Sequence, residues 1–97
     1  MDYRELNDFE LVSYVRENSE EANELLYDKY KPLIEKNARR LLKYCNYNGL
    51  ELNDLIQEGM LGLSRAIDTF NDSKEASFYT YAKTCIERKQ LSAIISS

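Results

Sequence analysis

The side chains that could do chemistry fall into two groups. In the last third of the chain Phe78, Tyr79 and Tyr81 stand close to Lys83, Arg88 and Lys89. Rings interleaved with cations can stack nucleobases and follow a phosphate backbone, although aromatic residues at helical spacing also fill cores. The second group lies in DLIQEGMLGLSRAIDTF, residues 54–70, where Leu61 sits among Asp54, Gln57, Glu58, Arg65 and Asp68. An apolar centre with a largely acidic polar rim suits a basic helix of another protein. Catalysis has little to draw on. The 97 residues include no histidine, which removes the commonest general base, the usual partner of a serine or cysteine nucleophile, and most zinc and iron ligand sets. Gly59 and Gly62 lie inside a helical pattern and not in a phosphate-cradling loop. No catalytic residue, metal or cofactor is expected.

The elements that carry these groups should all be helices. Three glycines, one proline and no alternating β-branched runs leave a sheet little to build on. A 43% hydrophobic content supports one small domain over residues 1–97. The expected fold is all-α, a compact bundle of four to five helices. Cys45 and Cys85 lack CxxC spacing, and Met1-Asp2-Tyr3-Arg4 opens no apolar leader, so a reducing cytoplasm is the expected location. No apolar run reaches the roughly 20 residues of a bilayer span, so no membrane is expected as a partner.

The net charge of -4 is unevenly divided: residues 1–28 carry -7, residues 29–45 carry +5, residues 46–75 carry -4 and residues 76–97 carry +2. Segregated charge can arise from solvated helix faces alone, or it can mark one acidic and one basic partner surface.

Local signals divide residues 1–45 into N-terminal helices. Asp8 is expected to cap a short helix to Glu17 that turns Phe9, Val12 and Val15 or the Arg16 stem inward, and Ser19 to cap a longer one. The longer stripe is Leu26, Tyr30, Leu33, Ile34, Leu41 and Leu42. Pro32 predicts a break or bend near Lys31, because an interior proline costs a helix about 3 kcal/mol. Asn46, Asn48 and Gly49 provide turn chemistry, with Gly49 suited to a left-handed conformation. Asn53 is expected to cap a helix over 53–70. After the polar NDSKEA, Ser77 is expected to cap the last helix, which runs at least to Ile94. The chain ends at AIISS without a glycine or proline stop signal, which suggests a piece of a longer protein.

With about 100° per residue and Ile56 at zero, Met60, Leu63, Ile67 and Phe70 lie within roughly 40° and form the expected buried stripe. Gly59, Gly62 and Ala66 run beside it, a strip of small residues that lets another helix approach closely. Leu61 lies at roughly 140°, among the acids, facing water or a partner. On the last helix Phe78, Ala82, Cys85, Ile86 and Ala93 form the expected core stripe, with Tyr81, Thr84, Arg88 and Leu91 on a neighbouring face.

Residues 54–94, with DLIQEG, GL, AI and F followed by F.TYA and I, closely resemble region 2 of the sigma-70 family of bacterial RNA polymerase sigma factors. YKPLIEKNARRLL, residues 30–42, resembles the helix that precedes it in that family. The first 28 residues match only loosely, and the nearest subgroup is that of alternative, sporulation sigma-H-like factors. The resemblance implies a promoter-specificity subunit, not an enzyme. Its polymerase-docking helix, 53–70, would bind the clamp helices of the β′ subunit of the RNA polymerase core through Asp54, Gln57, Glu58, Met60, Leu61 and Ser64. The loop and helix of 71–97 would bind the minus-ten promoter element and hold its non-template strand open. By matched position Phe70, Asn71, Lys74 and Tyr81 surround a flipped base. Phe78 and Thr80 lie beside the separated strand, Arg88 and Leu91 face the upstream edge, and Arg39 and Arg40 lie near the nucleic-acid backbone.

Primary sigma factors carry a tryptophan pair where this chain has Thr84 and Cys85, so the aromatic wedge at the duplex edge is missing. Glu87 replaces a basic family residue. Region 4, the helix-turn-helix that reads the minus-35 element, has no counterpart in these residues. An alternative reading is an interaction module that docks on polymerase or on an anti-sigma factor and opens no DNA.

Overall fold

The structure, a computed structural model, describes residues 2–45, 49–71 and 77–96. A single 3-10 turn at Tyr3–Glu5 precedes α1 (Asp8–Arg16), α2 (Glu20–Leu42), α3 (Leu52–Thr69) and α4 (Phe78–Ser96), with no strand among the described residues. The expected all-α bundle is therefore observed, with four α-helices among the described residues. Asn46, Asn48 and most of NDSKEA lie outside the described residues.

Helix starts follow side-chain chemistry, with two corrections. Ser19 Oγ accepts the Ala22 N–H at 3.2 Å, and Ser77 Oγ accepts that of Thr80 at 3.2 Å, as expected. Asp8 is not a cap. Asn7 is, exchanging side-chain and main-chain bonds with Glu10 in a capping box, which leaves the Asp8 carboxylate free to accept from Tyr30 Oη at 2.5 Å and to pair with Lys29. Nor does Asn53 cap α3. The helix starts one residue earlier, at Leu52, with Glu51 at the cap position, and the Asp54 carboxylate reaches back to the Glu51 N–H at 2.8 Å. Gly49 adopts φ +75, as its place in the turn predicts.

Pro32 does not divide α2, which runs unbroken for 23 residues. Its buried stripe continues on one face across the proline, with Ala22, Leu26 and Tyr30 before it and Ile34, Ala38 and Leu41 after it. Packing of both halves outweighs a defect of about 3 kcal/mol. The ring lies on the exposed side, where water can supply the Asp28 carbonyl with the donor that proline lacks.

The core has two parts. The larger joins Val12 of α1, Leu26, Tyr30 and Ile34 of α2, Leu63, Ala66 and Ile67 of α3, and Phe78, Ala82 and Ile86 of α4. The smaller gathers Ala38, Leu41, Cys45 and Leu55. At the seam lies Gln90, 0% exposed. Its Nε2 donates to the carbonyls of Ile34 (3.2 Å) and Leu55 (3.0 Å), and its Oε1 accepts from Asn37 Nδ2 at 2.6 Å. A fully bonded buried amide ties three helices together without an unpaired polar atom.

The strip of small residues on α3 is the tightest contact. A Cβ at Gly62 would stand 2.7 Å from the Cys85 carbonyl oxygen and 2.8 Å from Ile86 Cα, and one at Gly59 would stand 2.7 Å from both Gln90 Nε2 and Ile34 Cγ2. These glycines are packing devices, as expected. Three core expectations need correction: Met60 is 43% exposed, Phe9 is exposed in place of the buried Leu11, and Leu55, fully buried, was not in the expected stripe. No helix among the described residues is long and apolar enough to cross a membrane.

Candidate functional site

Two surfaces meet across α3 and α4. The buried side of α3 is Leu55, Gly59, Gly62, Leu63, Ala66 and Ile67, spaced four, three, one, three and one apart as a single helix face. That spacing centres burial on the small residues and turns the opposite side outward. Asp54, Gln57, Met60, Leu61, Arg65 and Asp68 are exposed, and Glu58 and Ser64 are half-buried. Leu61 is 55% exposed, so all six residues expected to dock polymerase share the outward half of one rigid helix.

The surface extends beyond the expected residues. Troughs of about 440 and 460 Å³ run between α2 and α3, and Tyr27, Asp28 and Met60 line both. Asn23 and Glu24 join Leu61 and Ser64 in the second. Tyr27, Glu24 and Asp28 went unnoticed in the sequence, where the only signal was the block of -7 over residues 1–28. Glu58 lies 3.8 Å from Lys89 of α4, which offsets part of its charge, and the Asp54 carboxylate is held by the N–H of its own helix start.

On the other surface Tyr81 is half-buried. Its ring centroid lies 5.6 Å from that of Phe70 and its hydroxyl 2.7 Å from Thr69 Oγ1. Thr69 Oγ1 also lies 2.7 Å from the Arg65 carbonyl, to which it must give its one proton, so Tyr81 is the donor in the hydroxyl pair. Arg16 of α1 fastens the end of α3, donating from Nε to the Ile67 carbonyl at 2.8 Å and from Nη2 to that of Phe70 at 2.7 Å. Arg16 is a support that sequence reading gave only as an inward-turned stem.

The expected nucleic-acid residues divide. Thr80, Thr84, Arg88 and Leu91 are exposed on α4, and Asn71 is exposed beside Phe70. Phe70 and Phe78, 8% and 3% exposed, lie in the core, as their places in the buried stripes predict, edge to face at 5.3 Å, with Tyr30 against Phe78 and Tyr81 against Phe70. Lys74 lies outside the described residues. Arg39 and Arg40 are exposed on the last turns of α2. Arg39 lies 3.8 Å from Glu35, whereas Arg40 donates to the neutral Asn37 Oδ1 and shares a depression with Lys83 and Glu87 of α4.

The family model described as Sigma-70 region 2 matches residues 26–96. The RNA polymerase sigma-H factors of Bacillus licheniformis and Bacillus subtilis (strain 168) are each 31% identical over 90 residues, 93% of this chain and 39% of theirs. RNA polymerase sigma factor SigA of Mycoplasma genitalium is 33% identical over 101 residues, 97% of this chain and 20% of its own. The chain thus spans about two fifths or less of the length of these relatives. No solved structure matches. The match over α2, α3 and α4, the helices that build both surfaces, makes this chain a member of the sigma-70 family that carries its region 2.

Proposed function

We propose that the chain is a promoter-specificity subunit of a bacterial RNA polymerase, cytoplasmic and without catalytic chemistry of its own. In this reading α3 docks on the clamp helices of the β′ subunit, and α4 with the turn before it takes the non-template strand of the minus-ten element, holding it open so that transcription starts. Its sigma-H relatives favour an alternative, sporulation-type factor.

The observation that carries the reading is Leu61, 55% exposed on the far side of α3 from α4, on a face that also carries Asp54, Glu58 and Asp68 with Gln57 and Arg65. A basic helix with an apolar centre fits such a face, and Glu24 and Asp28 of α2 add charge of the same sign along its edge. Tyr81 offers its ring to a flipped base, backed from inside by Phe70, so Phe70 and Phe78 act beneath the binding surface.

The test is a pull-down of the β′ clamp helices. Leu61→Arg and Glu58→Lys abolish it and leave the circular dichroism spectrum intact, and unchanged capture would remove the docking claim. Tyr81→Ala lowers binding of a single-stranded minus-ten oligonucleotide without lowering capture. A second reading, docking on polymerase or an anti-sigma factor without DNA opening, draws on the burial of Phe70 and Phe78 and on Thr84 and Cys85 at the tryptophan positions. Titrating the polymerase complex with a fluorescent non-template oligonucleotide at fixed salt separates the two, since only the first predicts binding beyond that of core alone.

A further inference from the structure

Between α2 and α4 lies a basin of about 410 Å³ lined by Leu33, Lys36, Asn37, Arg40, Lys83 and Glu87. It holds three cations and one carboxylate. Its wall includes Asn37, 5% exposed, whose amide orientation follows from proton accounting. Gln90 Nε2 spends both its protons on the Ile34 and Leu55 carbonyls, so Gln90 Oε1 must face Asn37 and accept from Asn37 Nδ2. Asn37 Oδ1 is thereby turned towards Arg40 and accepts from Nη2 of its guanidinium. A chain of fixed direction runs from two helix backbones through two buried amides to one arginine at the rim.

The consequence is electrostatic. Arg39, one residue earlier, is partnered by the carboxylate of Glu35, which offsets its charge. Arg40 is held by a neutral oxygen and keeps its full charge, with guanidinium donors left over for an anion. The seam supplies the rigidity: Gly59 leaves the room that Gln90 fills, since a Cβ there would stand 2.7 Å from its Nε2.

We propose that this basin seats a backbone phosphate of the bound DNA, with Arg40 as its principal donor, Lys36 and Lys83 as flanking cations, and Asn37 and Gln90 as positioning residues that aim Arg40. The proposal rests on the promoter-binding reading above. It adds a phosphate seat at the α2–α4 junction and two buried residues that act only through Arg40.

The experiment titrates a fluorescent promoter fragment into the complex of the full chain with RNA polymerase core over a series of salt concentrations. Arg40→Gln reduces the salt slope of log K by about 0.7–0.9, the change expected when one phosphate is no longer neutralised, Lys36→Gln and Lys83→Gln each reduce it by a smaller amount, and Glu87→Gln raises affinity. Gln90→Met, which conserves volume, lowers affinity about 2- to 5-fold, as for the removal of an ordinary hydrogen bond. That effect disappears in the Arg40→Gln background, whereas a merely structural defect would persist there. Inorganic phosphate at matched ionic strength competes only weakly, because the rest of the strand is missing. Unchanged slopes for all three cation variants, or a Gln90→Met effect that survives Arg40→Gln, overturns the proposal. If Tyr81→Ala still weakens binding in that case, the promoter reading stands and only the basin falls. If the complex binds no better than core alone, both fall.

Discussion

Gly62 gives the sharpest test of how α3 is held. At an exposed helix interior, replacing glycine by alanine gains about 1 kcal/mol of helix propensity, so local reasoning predicts that Gly62→Ala stabilises. The packing predicts the opposite. The added Cβ would meet the Cys85 carbonyl oxygen at 2.7 Å and Ile86 Cα at 2.8 Å, both main-chain atoms of α4 that cannot swing aside. Ordinary contact begins at 3.4 Å, so α4 must retreat by about 0.7 Å along the most closely packed part of the bundle. A gap of that size forfeits a quarter to a half of the dispersion attraction between the atoms it separates. Overpacking costs about 1–3 kcal/mol, and with backbone on both sides of the clash the upper half of that range applies. After the propensity gain the net loss is about 1–2 kcal/mol, or about 4–16 °C in Tm for a domain of this size. Thermal unfolding followed by far-ultraviolet circular dichroism reads it directly. A Tm equal to or above that of the unmodified chain would refute the claim that the strip of small residues sets the α3–α4 distance.

Leu61→Ala separates docking from stability: the leucine is already 55% exposed, so unfolding shifts by no more than about 0.5 kcal/mol. In the proposed docking, burying the rest of the side chain contributes about 0.8–1.7 kcal/mol, so a 4- to 16-fold loss of affinity for the clamp helices is expected by titration. Pro32→Ala restores one hydrogen bond to α2 and removes an interior proline, for a gain of about 2 kcal/mol in urea unfolding once the looser unfolded chain is counted. The Tyr30 hydroxyl is held far above the ordinary tyrosine range, first by burial and then by the Asp8 carboxylate that accepts its hydrogen bond. The native state keeps a proton that the unfolded chain releases above about pH 10, so this stability is full below that pH and falls as pH rises further. Tyr30→Phe lowers the urea midpoint at neutral pH and flattens the alkaline decline, and an alkaline decline that stays as steep would remove Tyr30 as its source.

What could be read in the sequence was local. Ser19 and Ser77 announce helix starts because a hydroxyl three residues before an N–H caps it whatever lies around it. Gly49 announces its turn for a similar reason. Pro32 does not break α2 because what outweighs it, burial on both sides of the ring, is tertiary. Asn37 and Gln90 were illegible for the same reason: a polar residue in an amphipathic pattern reads as surface until its partner 53 residues away is known. The outward placement of the six residues expected to dock polymerase was legible because one helix carries them all. The residues expected to meet nucleic acid were less legible as a surface, since Phe70 and Phe78 lie in the core while Thr80, Thr84, Arg88 and Leu91 are exposed.

The misreading of Met60 has the same root as the success with Leu61. Judged by its large residues, the buried stripe of α3 is centred near Ile56, with Met60 inside it. Closest approach is governed by the smallest residues, and the buried set from Leu55 through Gly59, Gly62 and Ala66 lies about 60° round the helix from Ile56. Rotated by that amount, α3 half-buries Ile56, turns Met60 out into the troughs beside Tyr27, and carries Leu61 to about 160° from the centre of burial. The residues that lock α3 against α4 therefore also decide which residues the opposite face can offer. A leucine on a polar, mainly acidic face stays outside because the glycines on the far side bring α4 so close that the helix has no freedom to turn and bury it.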